Sequence, residues 1–335
     1  MQADCCSIVP SDPRFTVVGV RPFRAAATRC LYELFILPGR ARRDGVSLLH
    51  YFGNVVGIGG PKSLVTVYDL IPFEHHAGRT FRTLYMRAMI PRSVRKARIT
   101  LPMSNSTREQ ILTHVKTHGA TLRVIPNPLA SRFRRAPAGE VRAFAERRNL
   151  PDKYLLYVSH YYPHKNHLGL LEALSLLVRE QDPSTFLTLC GRPNEGGALL
   201  QAKVKQANLE NNVALLSDIP DDEMPLLYSG ATALVFPSFS EGGGIPVMEA
   251  MACGCPVAAS DIPAIREFGG DAIKYFDPNS VESIAAAATE VTNNPELLKR
   301  LTERGLKRAS AFLSSAVAGE LLLAYEEALG PGRAR

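Results

Sequence analysis

Pro237-Ser238-Phe239-Ser240-Glu241-Gly242-Gly243-Gly244-Ile245-Pro246-Val247-Met248-Glu249-Ala250-Met251-Ala252-Cys253-Gly254 is the stretch on which the reading of the whole chain turns. The apolar run just before it, Ala231-Thr232-Ala233-Leu234-Val235-Phe236, has the pattern of a buried strand. Three consecutive glycines then free the backbone for a tight turn and let a ligand come close. Pro246 suits the first helical position and Gly254 the helix stop. The stretch therefore predicts a strand, a glycine loop, a short helix and a second strand over Pro256–Ala259. A helix that opens on glycines presents unpaired N–H groups and a partial positive charge, a seat for a diphosphate. Glu241 stands before the loop and Glu249 one turn into the helix, where both can accept hydroxyl hydrogen bonds from a sugar and a ribose. Taken alone, the same residues also fit a structural turn with two solvated glutamates.

The 335 residues suggest two domains. A hydrophobic content of 46% and a charged content of 21% are those of a globular chain with a sizeable core. No apolar run approaches the length of a membrane span, and no basic-then-apolar leader opens the sequence. Cysteines 5, 6, 30, 190, 253 and 255 lack zinc or redox spacing, which fits buried thiols in a reducing cytosol. His75 and His76 have no third ligand at useful spacing, so no metal site is expected. Charge is divided unevenly. Residues 1–150 hold 24 Lys and Arg against 9 Asp and Glu, a net of +15, and the remainder is −8. The first half is thus expected to meet something anionic, such as membrane lipid or a polyprenyl-diphosphate acceptor. No nucleic-acid motif accompanies the basic segments, so nucleic acid is not expected as a partner.

Outward from the central stretch, strands alternate with helices in both halves. Strands are expected over Arg14–Val20, Val46–Tyr51, Ser63–Tyr68 and Ile99–Met103, then over Tyr154–Ser159, Thr185–Cys190, Val213–Leu216 and Ile273–Pro278. Expected helices include Ala25–Leu37, stopped by Pro38-Gly39, and Phe81–Arg98, interrupted near Pro91. Ser104-Asn105-Ser106 is expected to cap a helix over Thr107–His118. In the second half, helices are expected over Leu168–Arg179, Ala198–Ala207, Asp221–Ser229, Val281–Thr292, Pro295–Ala311 and Ser315–Leu329. Such alternation implies parallel sheets with ligands at the carboxyl ends of the strands. The helix with Arg82, Arg87, Arg92, Arg95, Lys96 and Arg98 also carries Phe81, Leu84, Tyr85, Met86, Met89 and Ile90. It reads either as a membrane-surface element or as a packed helix with a solvated basic face.

The central stretch resembles the E-x7-E region of family-4 retaining glycosyltransferases, with Glu241 and Glu249 in the two Glu positions. Gly254-Cys255-Pro256-Val257 and Ser260-Asp261-Ile262-Pro263-Ala264-Ile265-Arg266-Glu267 fit as well. Tyr157-Val158-Ser159-His160-Tyr161-Tyr162-Pro163-His164-Lys165-Asn166-His167 is similar to the family's donor-diphosphate loop, with Lys165 matching its lysine. Tyr68-Asp69-Leu70-Ile71-Pro72 resembles its His-Asp-Leu-x-Pro element. Ser104-Asn105-Ser106 and Ile125-Pro126-Asn127-Pro128 match signposts near the domain junction. Three positions depart from the pattern: Gly243 stands for an aromatic, His160 for an arginine and Tyr68 for a histidine. The family's first strand and its Gly-rich loop have no counterpart, so the first domain reads as shortened at its N-terminus.

The resemblance implies an α/β chain of the GT-B fold, two Rossmann-like domains with a cleft between them. Residues 1–140 would form the acceptor-side domain and 150–312 the nucleotide-sugar domain. Residues 313–335 would be a C-terminal helix returning to the first domain. It implies transfer of a sugar from a nucleoside diphosphate sugar, GDP-mannose-like or UDP-hexose-like, to a hydroxyl of a glycan or lipid-linked acceptor. Retention would need no metal and no cofactor beyond the donor itself. Glu241, Lys165 and Asp69 would be the catalytic residues. His160, Lys165, Arg192, Glu241, Gly242, Gly243, Gly244, Ile245 and Glu249 would bind the donor. The expected place is the cytoplasm, peripheral at the inner membrane face. Two alternatives remain open on the sequence: a non-catalytic sugar-nucleotide or partner-binding protein of the same fold, and a sugar-nucleotide epimerase.

Overall fold

The computed structural model describes residues 26–74, 80–192 and 196–330, together with Thr16, Val18 and Val20. The strand expected over Arg14–Val20 and the His75-His76 pair fall largely or wholly outside these residues. Helix α1 (Ala26–Leu31) runs through a π-helical turn, Tyr32–Ile36, into α2 (Leu37–Arg43). The helix therefore continues through Pro38-Gly39, where the sequence predicted a stop. Pro38 lacks an N–H and its ring crowds the carbonyl four residues back. The wider π turn directly before it relieves both problems. Pro38 is buried, and a Cβ on Gly57 would lie 2.3 Å from its Cγ.

The first sheet consists of β1 (Leu48–Tyr51), β2 (Lys62–Val67) and β3 (Ile99–Pro102), parallel and in that order among the described residues. α3 (Phe81–Lys96) lies between β2 and β3 and is one helix with Pro91 inside it. α4 (Asn105–His114) follows β3, capped by the Ser104 hydroxyl, which accepts from the Thr107 N–H. It ends four residues before the predicted His118. Val115 leaves the helix with extended dihedrals and buries its side chain. Leu122, just before the Arg123–Pro128 segment, makes one isolated parallel bridge to Thr100.

α5 (Ala138–Arg147) leads into the second sheet. Its elements alternate in order: β4 (Leu155–Val158), α6 (His167–Glu180), β5 (Leu187–Cys190), α7 (Gly197–Gln206), β6 (Val213–Leu216), α8 (Met224–Gly230), β7 (Ala233–Phe236), α9 (Ile245–Ala252), β8 (Val257–Ser260), α10 (Pro263–Gly269) and β9 (Ile273–Phe276). α10 was not foreseen in the sequence. It is short, with Pro263 opening it and Gly270 at φ +56° after it. The strands are parallel in the order β6-β5-β4-β7-β8-β9. β5, β7 and β8 are buried at every position, because helices cover both faces of such a sheet. α11 (Val281–Asn293), α12 (Pro295–Ala309) and α13 (Ser314–Leu329) complete the chain.

α13 packs on the first sheet. Val317, Ala324 and Ala328 share a buried cluster with Leu64, Ile99, Leu101 and Ile125. The Tyr325 hydroxyl also lies 2.8 Å from His50 Nδ1 on β1. Small side chains on this face of α13 let the helix approach the strands closely.

Candidate active site

In the second sheet the chain runs outward from β4 through β5 to β6, then returns to the other side of β4 with β7. The switch point lies between β4 and β7, where the two following loops diverge and leave a crevice. The loop after β4 carries Lys165 and the loop after β7 carries Glu241. Their side chains meet: Lys165 Nζ donates to Glu241 Oε1 at 2.6 Å, with the side chains only 18% and 9% exposed. The Lys165 ammonium also lies 5.9 Å from the Phe236 ring centroid at the end of β7. The lysine's backbone is held too, because the buried Tyr157 hydroxyl donates to its carbonyl at 2.6 Å. A charge pair this sheltered must be well aligned to offset its desolvation. A bound anion could share the lysine, with no further cation having to be buried.

Asp69, just beyond β2, faces the same place. Burial is the main force raising its carboxyl above the usual range, and the Glu241 charge adds to it. The Ile71 N–H and Lys165 pull the other way. The glycine loop is pressed against this tip of the first sheet. A Cβ on Gly242 would lie 1.7 Å from the Tyr68 carbonyl oxygen and 3.2 Å from Asp69 Cβ. Thr107 spans the junction, its hydroxyl reaching the Gly242 carbonyl at 3.3 Å and the Tyr68 carbonyl at 3.4 Å. Gly243 has a different neighbour. A Cβ there would meet Met103 Cε at 2.6 Å and Phe268 Cε2 at 3.4 Å, so Met103 fills space that a side chain at 243 would need. Gly244 adopts φ +57° and serves as N-cap of α9 with no side-chain cap. The Ile245 end of α9 therefore opens toward the loop with its dipole unopposed by a capping side chain.

Glu249 is set apart from this group. Its Oε2 accepts from the buried Tyr228 hydroxyl of α8 at 2.8 Å. Burial pushes its carboxyl up to about 7, moderated by the Tyr228 bond and the Arg132 charge, with Asp221 opposing. Two further expected donor residues stand at strand ends in the same sheet without joining the Lys165–Glu241 pair. His160 is exposed, with its ring 6.3 Å from that of Tyr162. Arg192 is exposed after β5, with Nε 3.9 Å from Asp218. His167 is buried between the Tyr157 and Tyr161 rings, and burial lowers its imidazole to about 3. It is the first residue of α6, and its ring turns inward onto those aromatics.

Sequence reading missed several contributors. Thr107 lies in the Ser104 capping motif, a signal for a helix start rather than for a cleft contact. Glu74, whose carboxylate accepts from Ser240 beside the glycine loop, carried no signal at all. Glu267 on α10 accepts from the Asn105 and Ser106 N–H groups at 2.7 and 3.1 Å, so one half of the molecule caps a helix of the other. Among the described residues no group of three His, Cys, Asp or Glu side chains is placed to hold a metal ion. The described cysteines are unpaired, and burial pushes the Cys190 and Cys253 thiols up to about 12.

Residues 140–308 match the family described as glycosyl transferases group 1. The chain belongs to that family. It is 31% identical over 257 residues to the O-antigen chain mannosyltransferase B of Escherichia coli, covering 75% of this chain and 66% of that one. It is 28% identical over 236 residues to the O-antigen chain mannosyltransferase RfbU of Salmonella typhimurium, covering 70% of this chain and 62% of that one. The chain thus spans slightly less than two thirds of each relative's length. Among solved structures, sucrose-phosphate synthase from Thermosynechococcus elongatus superposes with a TM-score of 0.74 at 23% identity, over 87% of this chain and 76% of that one. Such likenesses, with the two parallel sheets, show the GT-B fold: two Rossmann-like domains.

Proposed function

We propose that this chain is a retaining glycosyltransferase. It would move a hexose from a nucleoside diphosphate sugar, GDP-mannose-like or UDP-hexose-like, to a hydroxyl of a glycan or lipid-linked acceptor in polysaccharide or glycolipid synthesis. The observation that carries this reading is the Lys165–Glu241 pair at the β4/β7 switch point, facing the uncapped start of α9. The mannosyltransferase names of the relatives favour a hexose such as mannose. The donor lies on residues 150–312 and the acceptor side on 1–140, with the 313–335 segment tying the two.

In this reading Lys165 and the N–H groups of Gly242–Ile245 hold the diphosphate and stabilise the charge that grows on it as it leaves. They supply there the positive charge that a metal ion supplies in other transferases. The bond from the anomeric carbon to the phosphate oxygen breaks while the acceptor oxygen bonds to the same face of that carbon. The acceptor's proton passes to the departing phosphate. Glu241 orients the sugar hydroxyls, Asp69 borders the reacting face, and Glu249 takes the ribose. His160 and Arg192 complete the donor surface from the strand ends.

Calorimetry with GDP, UDP and their hexose conjugates tests the reading. One nucleoside diphosphate should bind, and Lys165→Ala should weaken it about 10- to 100-fold, the range of a charge-assisted contact. The Ala variant leaves the sheltered Glu241 carboxylate unpaired, so it should melt several degrees lower while still unfolding cooperatively. Wild-type affinity in Lys165→Ala would remove the lysine from the site, and failure of every nucleotide to bind would remove the function.

A further inference from the structure

Beside Glu241, on the side away from β4, the two halves of the molecule enclose a cavity of about 370 Å³. Its walls come from the segment after β2, from α4 and from the loops after β7 and β8. Phe73 and His114 form one wall, with ring centroids 5.7 Å apart and planes inclined by 30°. Gln110 and Glu74 stand between them and Ser240. Gln110 Nε2 reaches Glu74 Oε1 at 3.5 Å, and the same oxygen accepts from the Ser240 hydroxyl. Glu241 closes the inner end, so the cavity and the diphosphate crevice share that one carboxylate.

The lining chemistry narrows what this space can hold. It contains two carboxylates, an amide, hydroxyls and three rings, those of Phe73, His114 and Phe239, and neither lysine nor arginine. A phosphate or diphosphate would meet two carboxylates with no lysine or arginine on the wall, and the nearby Lys165 is already paired with Glu241. A purely apolar chain would leave two carboxylates desolvated. A neutral sugar ring suits both features, since its C–H face covers aromatic rings while its hydroxyls donate to carboxylate and amide oxygens. Across the Glu74–Ser240 contact a second cavity of about 370 Å³ continues, lined in part by Asp261, Asp277 and Asn279 and again without a basic residue. The pair of cavities is shaped for more than one neutral ring in succession.

We propose that the Phe73–His114 cavity seats a neutral sugar ring of the acceptor glycan, stacked on the two rings and held by Gln110 and Glu74. This rests on the glycosyl-transfer reading. Because Glu241 borders both compartments, a ring seated here brings a hydroxyl to the edge of the crevice where the donor hexose is held. The sugar of the donor itself is the other source of a neutral ring, and the test separates the two.

Saturation-transfer NMR with methyl α-mannoside, methyl α-glucoside, methyl N-acetylglucosaminide and α-linked dimannoside is run with the nucleoside diphosphate present at saturation. At least one glycoside should receive saturation with the nucleotide bound, and the dimannoside should exceed its monosaccharide. Gln110→Ala, at a half-buried position, and His114→Ala, at an exposed one, should each reduce that signal at least threefold. Calorimetry should show nucleoside diphosphate and full donor binding to these variants as to the wild type. The proposal is overturned if no glycoside receives saturation, or if the signal ignores both substitutions. It is also overturned if the variants weaken the full donor but not the bare diphosphate, since the ring would then be the donor's. A chain that binds no nucleotide at all fails the glycosyl-transfer reading instead, and calorimetry alone reports that failure.

Discussion

Glu249 shows how a residue's environment sets a testable pH dependence. Its partner is Tyr228, and the charges facing it are Arg132 and Asp221, with the Cys253 thiol close by. Burial raises the carboxyl from 4.5 to about 7. A raised folded-state value means that the group's contribution to stability is complete below about 4.5 and is lost as pH rises through about 7. The loss is on the order of 3 kcal/mol. Half-buried His50 and His164 and buried His167 act in the opposite sense, since burial lowers them to about 4, 4 and 3. Their contribution is present above about 6.5 and lost on acidification. Comparing Glu249→Gln with the wild type cancels the histidines. The variant should match the wild type near pH 4.5 and melt several degrees higher near pH 8; equal melting at both pH values would place Glu249 in contact with water. Ligands separate the two glutamates. Glu249→Gln should weaken bare nucleoside diphosphate and full donor by similar factors, about 10-fold. Glu241→Gln should spare the bare diphosphate and damage the full donor or its turnover. If Glu241→Gln weakens both ligands alike, the two roles are wrongly assigned. Glu241 and Lys165 were legible because each sits in a local pattern of loop and strand end. Glu74 and Thr107 were not, because what they touch lies 166 and 135 residues away.

At the scale of elements, the strand–glycine loop–helix reading of residues 231–254 was sound because each part had its own local cause. A continuous apolar run made β7, three glycines the loop, and Pro246 with Gly254 the limits of α9. The Pro38-Gly39 stop misled because the π turn that absorbs Pro38 is a property of the packed helix, with Gly57 and Gly60 making room beside it. The two glycine environments give opposite predictions for the same substitution. Gly242→Ala would drive a methyl group into the Tyr68 carbonyl, a backbone atom that cannot swing away. It should lower stability by about 1–3 kcal/mol and shift the loop that carries Glu241, so donor binding falls as well. Gly39→Ala, inside α2 with nothing within 4 Å of the new methyl, should be neutral or stabilise by up to about 1 kcal/mol. Chemical denaturation of both variants decides this. A Gly242→Ala protein as stable as the wild type would mean that the loop does not press on the first sheet in solution.

At the scale of the whole molecule, the alternating pattern revealed parallel sheets but not the order of strands. That order depends on which way each crossover turns. It is the order that puts Lys165 and Glu241 side by side. The imbalance of charge is a whole-molecule property as well, and the structure divides it. On α3, Arg92 and Arg87 donate to backbone carbonyls, of Val56 and of Pro72, so part of the basic face is structural. Arg82, Arg95 and Lys96 remain exposed, as does Arg98 just past the end of the helix, with Phe81 82% and Leu84 51% exposed on α3. No described helix is long and apolar enough to cross a membrane. A face that mixes arginine, lysine and exposed apolar side chains is of the kind that binds anionic surfaces, and vesicle binding tests whether this one does. Sedimentation with vesicles containing phosphatidylglycerol should show binding that falls steeply between 0.05 and 0.5 M salt, as the screening length contracts from about 14 Å to about 4 Å. Each basic residue near such a surface contributes about 1 kcal/mol, so replacing Arg95, Lys96 and Arg98 together with alanine should weaken binding about 100-fold. The same triple variant should bind nucleoside diphosphate as the wild type does, since Lys165 and the glycine loop lie in the other domain. Equal binding to neutral and anionic vesicles would make the net +15 of the first half a solvated face and nothing more.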